Sequence, residues 1–454
     1  MTKRTVLLGT LLALVMAAGQ APGQFISKDP GVRGGPAGAG GMIDGLSDTQ
    51  KAVFDAGAED FAEEDSLASG LGPRFNLDSC AGCHAQPTVG GTSPRVNPQV
   101  AIATFNGAKN VVPSFIKADG PVREARFKYN ADGSRDGGVH GLFVISGRKD
   151  DDGTDASGCT IKQDDFESQI ARHNVIFRIP TPVFGLGLIE AIPDSAIVAN
   201  QRATAPQRAG LGIQGRPNFT LPSPNPNRNG NDGTVARFGW KAQNKSALLF
   251  SGEAYNVEQG ITNELFPQER DEMASCQFAS VPNDTTNMDG VTAADVLNGI
   301  QKFAFFMKFL APPAPAAPTA STVRGRQLFV STGCALCHTP TLKTGPSEIS
   351  GLNRQNVNLY SDLMLHGMGP GLADDILQGG ARGEEFRTSP LWGLGQRIFF
   401  LHDGRTSDLK EAILAHRSPA SQRFPASEAN QVINRFDGLG ESQKQDLLNF
   451  LRSL

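Results

Sequence analysis

Two stretches of this 454-residue chain set thiols and an imidazole at one spacing: Cys80-Ala81-Gly82-Cys83-His84 and Cys334-Ala335-Leu336-Cys337-His338. C-x-x-C-H is the attachment sequence of c-type haem. Thiols one helical turn apart can each form a thioether to a haem vinyl group, and the adjacent imidazole then lies under the iron as proximal ligand. Zinc would call for further Cys or His at ligand spacing, and neither half of the chain offers a second C-x-x-C. The spacing predicts two covalently bound haem c groups, one on Cys80, Cys83 and His84, the other on Cys334, Cys337 and His338.

Helical stretches precede both motifs. Ser47-Asp48-Thr49-Gln50 reads as a capping box that opens a helix with Phe54 and Phe61 on one face. Val323 to Val330 leads into the second motif in the same way. Thr292-Ala293-Ala294-Asp295 caps a further helix through Phe303, Phe306 and Phe309. Ser442 to Leu454 closes the chain with a stripe of Leu447, Leu448 and Leu451, suited to pack on an opening helix. From Pro87 to about Val235, runs such as Val100-Ala101-Ile102-Ala103 and Leu142-Phe143-Val144-Ile145 sit between Gly, Pro, Asn and Asp clusters. These predict short strands and long loops, with little helix. The expected fold class is mainly α: two cytochrome c-like haem domains, the first with a large loop and short-strand insertion. The expected boundaries are a signal peptide over 1–24, a disordered Gly-rich segment over 25–45, an N-terminal haem domain over 46–311, a Pro/Ala linker over 312–320 and a C-terminal haem domain over 321–454.

Lys3 and Arg4, the apolar stretch Val6 to Ala18 and the small residues Ala17, Ala18 and Gly19 make a cleavable signal, which predicts the periplasm. No internal run is long and apolar enough to span a bilayer. The net charge of −4 is spread out and gives no reason to expect nucleic acid. Cys159 and Cys276 lie outside the motifs; they can pair in an oxidising compartment or stay as buried thiols. Asp150-Asp151-Asp152-Gly153 has oxygen donors for calcium without the full ligand loop. A solvated turn is the simpler reading, with calcium left as an optional cofactor.

The segment Phe400-Leu401-His402-Asp403-Gly404-Arg405, followed by Leu409, Ala412 and His416, resembles the C-terminal haem domain of bacterial dihaem cytochrome c peroxidases and of the related methylamine-utilisation dihaem enzyme. In those proteins the residue fourteen after the His is the sixth ligand of the electron-transfer haem, commonly Met. The resemblance therefore implies a bis-His haem, ligated by His338 and His416, with His402 and Asp403 near the propionates. Replacing Met by His lowers the reduction potential.

Other stretches are similar to a narrower branch, the dihaem oxidoreductases also described as peroxidase-like or thiol-oxidoreductase-like. They include Gly72-Pro73-Arg74-Phe75-Asn76, Val139-His140-Gly141-Leu142-Phe143, Phe184-Gly185-Leu186-Gly187-Leu188, Arg237-Phe238-Gly239-Trp240-Lys241-Ala242-Gln243, Met368-Gly369-Pro370-Gly371-Leu372 and Phe386-Arg387-Thr388-Ser389-Pro390-Leu391-Trp392.

The resemblance implies that electrons from a small redox protein enter at the C-terminal haem and pass to the N-terminal one, which reduces a small oxidant such as peroxide. The family's capping His, about sixteen residues past the first motif, would fall near Val100, and no His stands there. Of the other N-terminal histidines, His140 and His173, the first is the candidate sixth ligand. Peroxide cleavage needs a base and a proton donor. Gln243 and Glu253 are the candidates, in a segment after Trp240 that mirrors the one after Phe400. Trp240 or Trp392 is expected between the haems. The alternatives are a non-enzymatic electron carrier and an oxygenase that binds dioxygen.

Overall fold

A computed structural model describes residues 25–219, 234–271 and 273–454; the expected signal peptide lies outside them. Among the described residues, fourteen α-helices carry the architecture, and no strand exceeds four residues. Helices outweigh strands among the described residues, in line with the expected mainly α class, and long stretches belong to neither.

Two crossed helix pairs form the frame. Asp48–Ala62 packs on Gly299–Phe309, and Ala320–Thr332 packs on Glu441–Ser453. Each crossing is made at a glycine. A Cβ at Gly57 would run into the Lys302 carbonyl and the Phe306 side chain; one at Gly325 would run into the Asp446 carbonyl and the Phe450 side chain. Only a hydrogen at these positions lets the backbones come so close. The first helix starts as its sequence says, with Ser47 and Gln50 exchanging capping-box hydrogen bonds and Phe54 and Phe61 buried. The helix expected from Thr292 is two helices. Ala293–Val296 ends at extended Leu297, and Asn298 with Gln301 caps a new start at Gly299.

Between the frame's pieces lies a region of short strands. Glu124–Phe127 is flanked by Val139–His140 and Val175–Arg178, all antiparallel, with Glu124 opposite Arg178 and Ala125 opposite His140. Helix Asp194–Ala209 within this region departs from the expectation of strands and loops. Only Ile197 and Arg208 are buried along its 16 residues, so no apolar stripe betrayed it. A disulfide joins Cys159 to Cys276 with Cα atoms 4.7 Å apart, inside a core that includes Phe75, Phe143 and Phe166.

The expectation of disorder before residue 46 is corrected. Residues 25–46 form an ordered strap. The Ile43 N–H donates to the Phe309 carbonyl (2.8 Å), Ala311 N–H to Gly41 (2.8 Å), Ala314 N–H to Gly38 (2.8 Å) and Arg33 N–H to Gly395 (2.7 Å). Main-chain bonding of this kind needs no apolar side chains, so a Gly-rich composition does not reveal it. Asp150 is likewise engaged within the protein, accepting from Leu67 N–H (2.6 Å), Arg148 Nε (2.6 Å) and Asn106 Nδ2 (3.1 Å). Among the described residues, no His, Cys, Asp and Glu side chains gather in threes to hold a metal ion, and no helix is long and apolar enough to cross a membrane.

Candidate functional site

The two C-x-x-C-H stretches open onto two cavities. Cys80, Cys83 and His84 line the first, which encloses about 1160 Å³ of empty space including its open mouth. Cys334, Cys337 and His338 line the second, of about 1410 Å³. In each, the histidine Nδ1 meets a main-chain carbonyl: His84 with Gly91 (3.0 Å) and His338 with Tyr360 (3.0 Å). An imidazole that donates Nδ1–H in this way is fixed in orientation and presents Nε2 as the ligating nitrogen. Burial pulls both imidazoles down to about 4, with nearby His416 adding to the effect on His338. They are therefore neutral and competent to bind a metal at neutral pH.

The far walls differ. On the second cavity His416 stands with Nδ1 against the Ala412 carbonyl at 2.8 Å, and burial lowers its pKa. The element that carries it begins with a bridge between Phe400 and Thr406, followed by Asp408 as N-cap and helix Leu409–Leu414. The first cavity has the same construction in the same register: a bridge between Phe238 and Asn244, Ser246 as N-cap and helix Ala247–Gln259. Trp240 then corresponds to His402, and Ala254, which lines the first cavity, corresponds to His416. A methyl group stands where the other half has an imidazole.

His140 is corrected as a ligand candidate. Its ring stacks on Phe127 with centroids 3.6 Å apart. Nδ1 is held by Asp164 (2.9 Å) and Nε2 by Asp136 (3.0 Å), and it does not line the first cavity. It sits opposite Ala125 in the sheet, whereas Glu124 and Arg126, one residue to either side, face the cavity. His173 is exposed at a surface turn with a positive φ of 55°.

Gln243 and Glu253 both line the first cavity. The Gln243 Oε1 is buried without a hydrogen-bond partner, and Glu253 accepts from Asn244 Nδ2. Trp240 lines both cavities, with Nε1 anchored on the Ile179 carbonyl at 2.9 Å and its ring at 72° to that of His402, centroids 6.3 Å apart. His402 lines the second cavity, stacked on Phe386 at 4.4 Å, and burial pulls it down to about 4. Trp392 lies in the central core and lines neither.

Sequence reasoning missed a carboxyl pair in the first cavity. Glu258 lies one helical turn past Ala254 on the same face, and its carboxyl hydrogen-bonds that of Glu124. Asn76 Nδ2 donates to Glu258 (2.8 Å) and Arg126 Nε to Glu124 (2.7 Å). Burial, then the charge of Glu124, pushes Glu258 up to about 8. Burial also raises Glu124, but the guanidiniums of Arg126 and Arg178 outweigh it and hold Glu124 below its ordinary value. The two directions together favour one proton held by the pair over two separate charges. No linear motif joins these residues; a strand and a distant helix bring them together. His366 was missed too. It lines the second cavity with Nε2 on Asp362 (3.0 Å) and Nδ1 on Glu428 (2.9 Å), both nitrogens committed.

Residues 123–454 match the family model described as "Di-haem oxidoreductase, putative peroxidase". The chain belongs to this family. Haem is therefore the cofactor class of this di-haem oxidoreductase, and the first C-x-x-C-H precedes the matched region. No curated protein matches the chain. Among solved structures it is similar to the hydrazine synthase of Kuenenia stuttgartiensis (16% identity, TM-score 0.24, over 34% of this chain and 55% of that one). It is also similar to a MauG-like protein associated with microbial copper homeostasis (18%, 0.24, 36% and 55%). A third is the diheme peroxidase BthA from Burkholderia thailandensis (14%, 0.29, 48% and 65%). The oxidoreductase thus spans less than two thirds of the length of each.

The cavity walls of the di-haem oxidoreductase suit a haem. They are mainly apolar on the second site, with Phe329, Leu391, Leu409, Val432 and Leu451 among them. Arg387 and Arg397 are buried there without a carboxylate partner among the described residues, and burial pulls both down to about 10. A buried cation lacking a counter-ion is costly, and the carboxylates of a haem would meet that need.

Proposed function

We propose that this di-haem oxidoreductase is an exported peroxide-reducing enzyme with two c-type haems, one in each of two haem units joined near residues 312–320. Cys80, Cys83 and His84 would hold the first, and Cys334, Cys337, His338 and His416 the second. The observation that carries the reading is Ala254: in the register where His416 lines the second cavity, a methyl group lines the first. A non-enzymatic carrier has no use for one blocked and one vacant position.

A bound haem would supply an iron that takes up electrons and passes them to a ligand. The chain's own residues do the rest. Peroxide, two electrons and two protons give two waters, so protons must be held beside the vacant position. Glu258 holds one at neutral pH, and Glu124 with Arg126 keeps it shared within the pair. The orphaned Gln243 Oε1 accepts a hydrogen bond from a protic ligand such as peroxide, which dioxygen cannot donate. Trp240, lining both cavities, shortens the path for electrons between them. The Cys159–Cys276 bridge supports an oxidising compartment such as the periplasm. Calcium is not required by this reading.

The test is peroxide turnover by the haem-loaded chain with a reduced small cytochrome as donor, compared with Ala254→His. The reading expects turnover in the parent and a loss of about 100-fold or more in the variant, since the new imidazole blocks the vacant position. Equal rates in both would overturn it.

A further inference from the structure

The Gly-rich strap ends on the element that carries His416. Asp29, 7% exposed at its side chain, accepts the Leu409 N–H on Oδ2 at 2.8 Å. Leu409 is the first residue of helix Leu409–Leu414, and its side chain lines the second cavity. The same carboxylate takes Arg452 Nε on Oδ1 at 2.7 Å and Arg452 Nη2 on Oδ2. Arg452, 4% exposed, reaches on to the Arg397 carbonyl (2.9 Å) and lies over the Phe400 ring at 4.9 Å, so it grips the start of the segment that leads to His416. Next along, Lys410 Nζ donates to the carbonyl and hydroxyl of Ser27 (3.1 and 3.0 Å), and Ser27 in turn bonds Glu441.

We infer that Asp29 is a positioning residue for the sixth ligand of the C-terminal iron: the strap fixes helix Leu409–Leu414, which ends two residues before His416, so that the imidazole on the following turn stays in the second cavity. The inference rests on the reading of His416 as that ligand. The physical reason is the shortness of the helix. Six residues make little more than one turn of hydrogen bonds, too few to hold a position unaided. Outside contacts must do it, and the strap supplies the one at the first residue. Bis-His closure of the second site would then depend on the strap being docked, and a chain that has lost residues 25–30 would carry two reachable irons.

The inference is tested on the haem-loaded full chain by the low-spin share of the ferric electron paramagnetic resonance spectrum and by titration with imidazole. The variants are Asp29→Asn, Asp29→Ala, His416→Ala and Arg324→Ala. Arg324 pairs with Asp446 on helix Glu441–Ser453, so its loss loosens the packing of Ala320–Thr332 on the helix that carries Arg452 without removing a strap contact. In the Asp29 variants the low-spin share falls and imidazole binds about tenfold more tightly, because affinity for an outside ligand scales with the fraction of sites His416 has left. Arg324→Ala keeps the parent spectrum. Parent-like spectra in both Asp29 variants, or an equal loss in Arg324→Ala, would overturn the inference. If His416→Ala itself kept the low-spin signal, the ligand reading would fall first and the positioning role with it.

Discussion

At Ala254 a methyl group lines the N-terminal cavity in the register where His416 lines the other. The reverse exchange, His416→Ala, should open the second site and let cyanide bind two irons per chain instead of one, countable in an optical titration. The proton on Glu258 gives a pH dependence. Its pKa in the folded chain is raised to about 8 from the ordinary 4.5. A raised carboxyl pKa favours the folded state below the ordinary value, and that contribution is lost as pH climbs through the folded value. Separately, Glu258 loses the proton it would give to peroxide as pH passes about 8, so turnover should fall there, and Glu258→Gln should cost about 10²- to 10⁴-fold in rate and remove that limb of the profile. A variant that keeps the limb would assign it to another group. At this scale the C-x-x-C-H stretches could be picked out from spacing, because their chemistry is local in the chain, whereas His416 came from a family resemblance; both stretches and His416 line the two cavities. Glu124 and Glu258 could not, since only folding makes them neighbours. His140 misled for the opposite reason: a histidine among glycines reads as available, and two aspartates claim it.

The frame's two helix pairs meet at Gly57 and Gly325, and each crossing tolerates no Cβ. Alanine at either position should destabilise the protein by ~1–3 kcal/mol through overpacking, read as a drop in denaturant midpoint at unchanged slope. The opening and closing helices were legible from capping residues and apolar stripes. Asp194–Ala209 was not, because it buries almost nothing, and the strap was not, because backbone hydrogen bonds and the Asp29–Arg452 pair hold it rather than apolar side chains.

Across the molecule, the largest core cluster gathers Phe54, Phe306, Val183, Leu359, Leu363 and Trp392, so residues from both ends of the sequence share one interior. The disulfide closes a span of 117 residues, and neither cysteine lines a cavity. Replacing both cysteines by Ala should cost ~5 kcal/mol of stability by the chain-entropy argument while leaving the haem spectra unchanged. A spectral shift would tie the bridge to the sites. The proposed function requires one open and one closed iron on a single chain. Electron paramagnetic resonance of the oxidised, haem-loaded protein tests it directly: one high-spin and one low-spin ferric signal of equal weight are expected, and two low-spin signals of equal weight would contradict it.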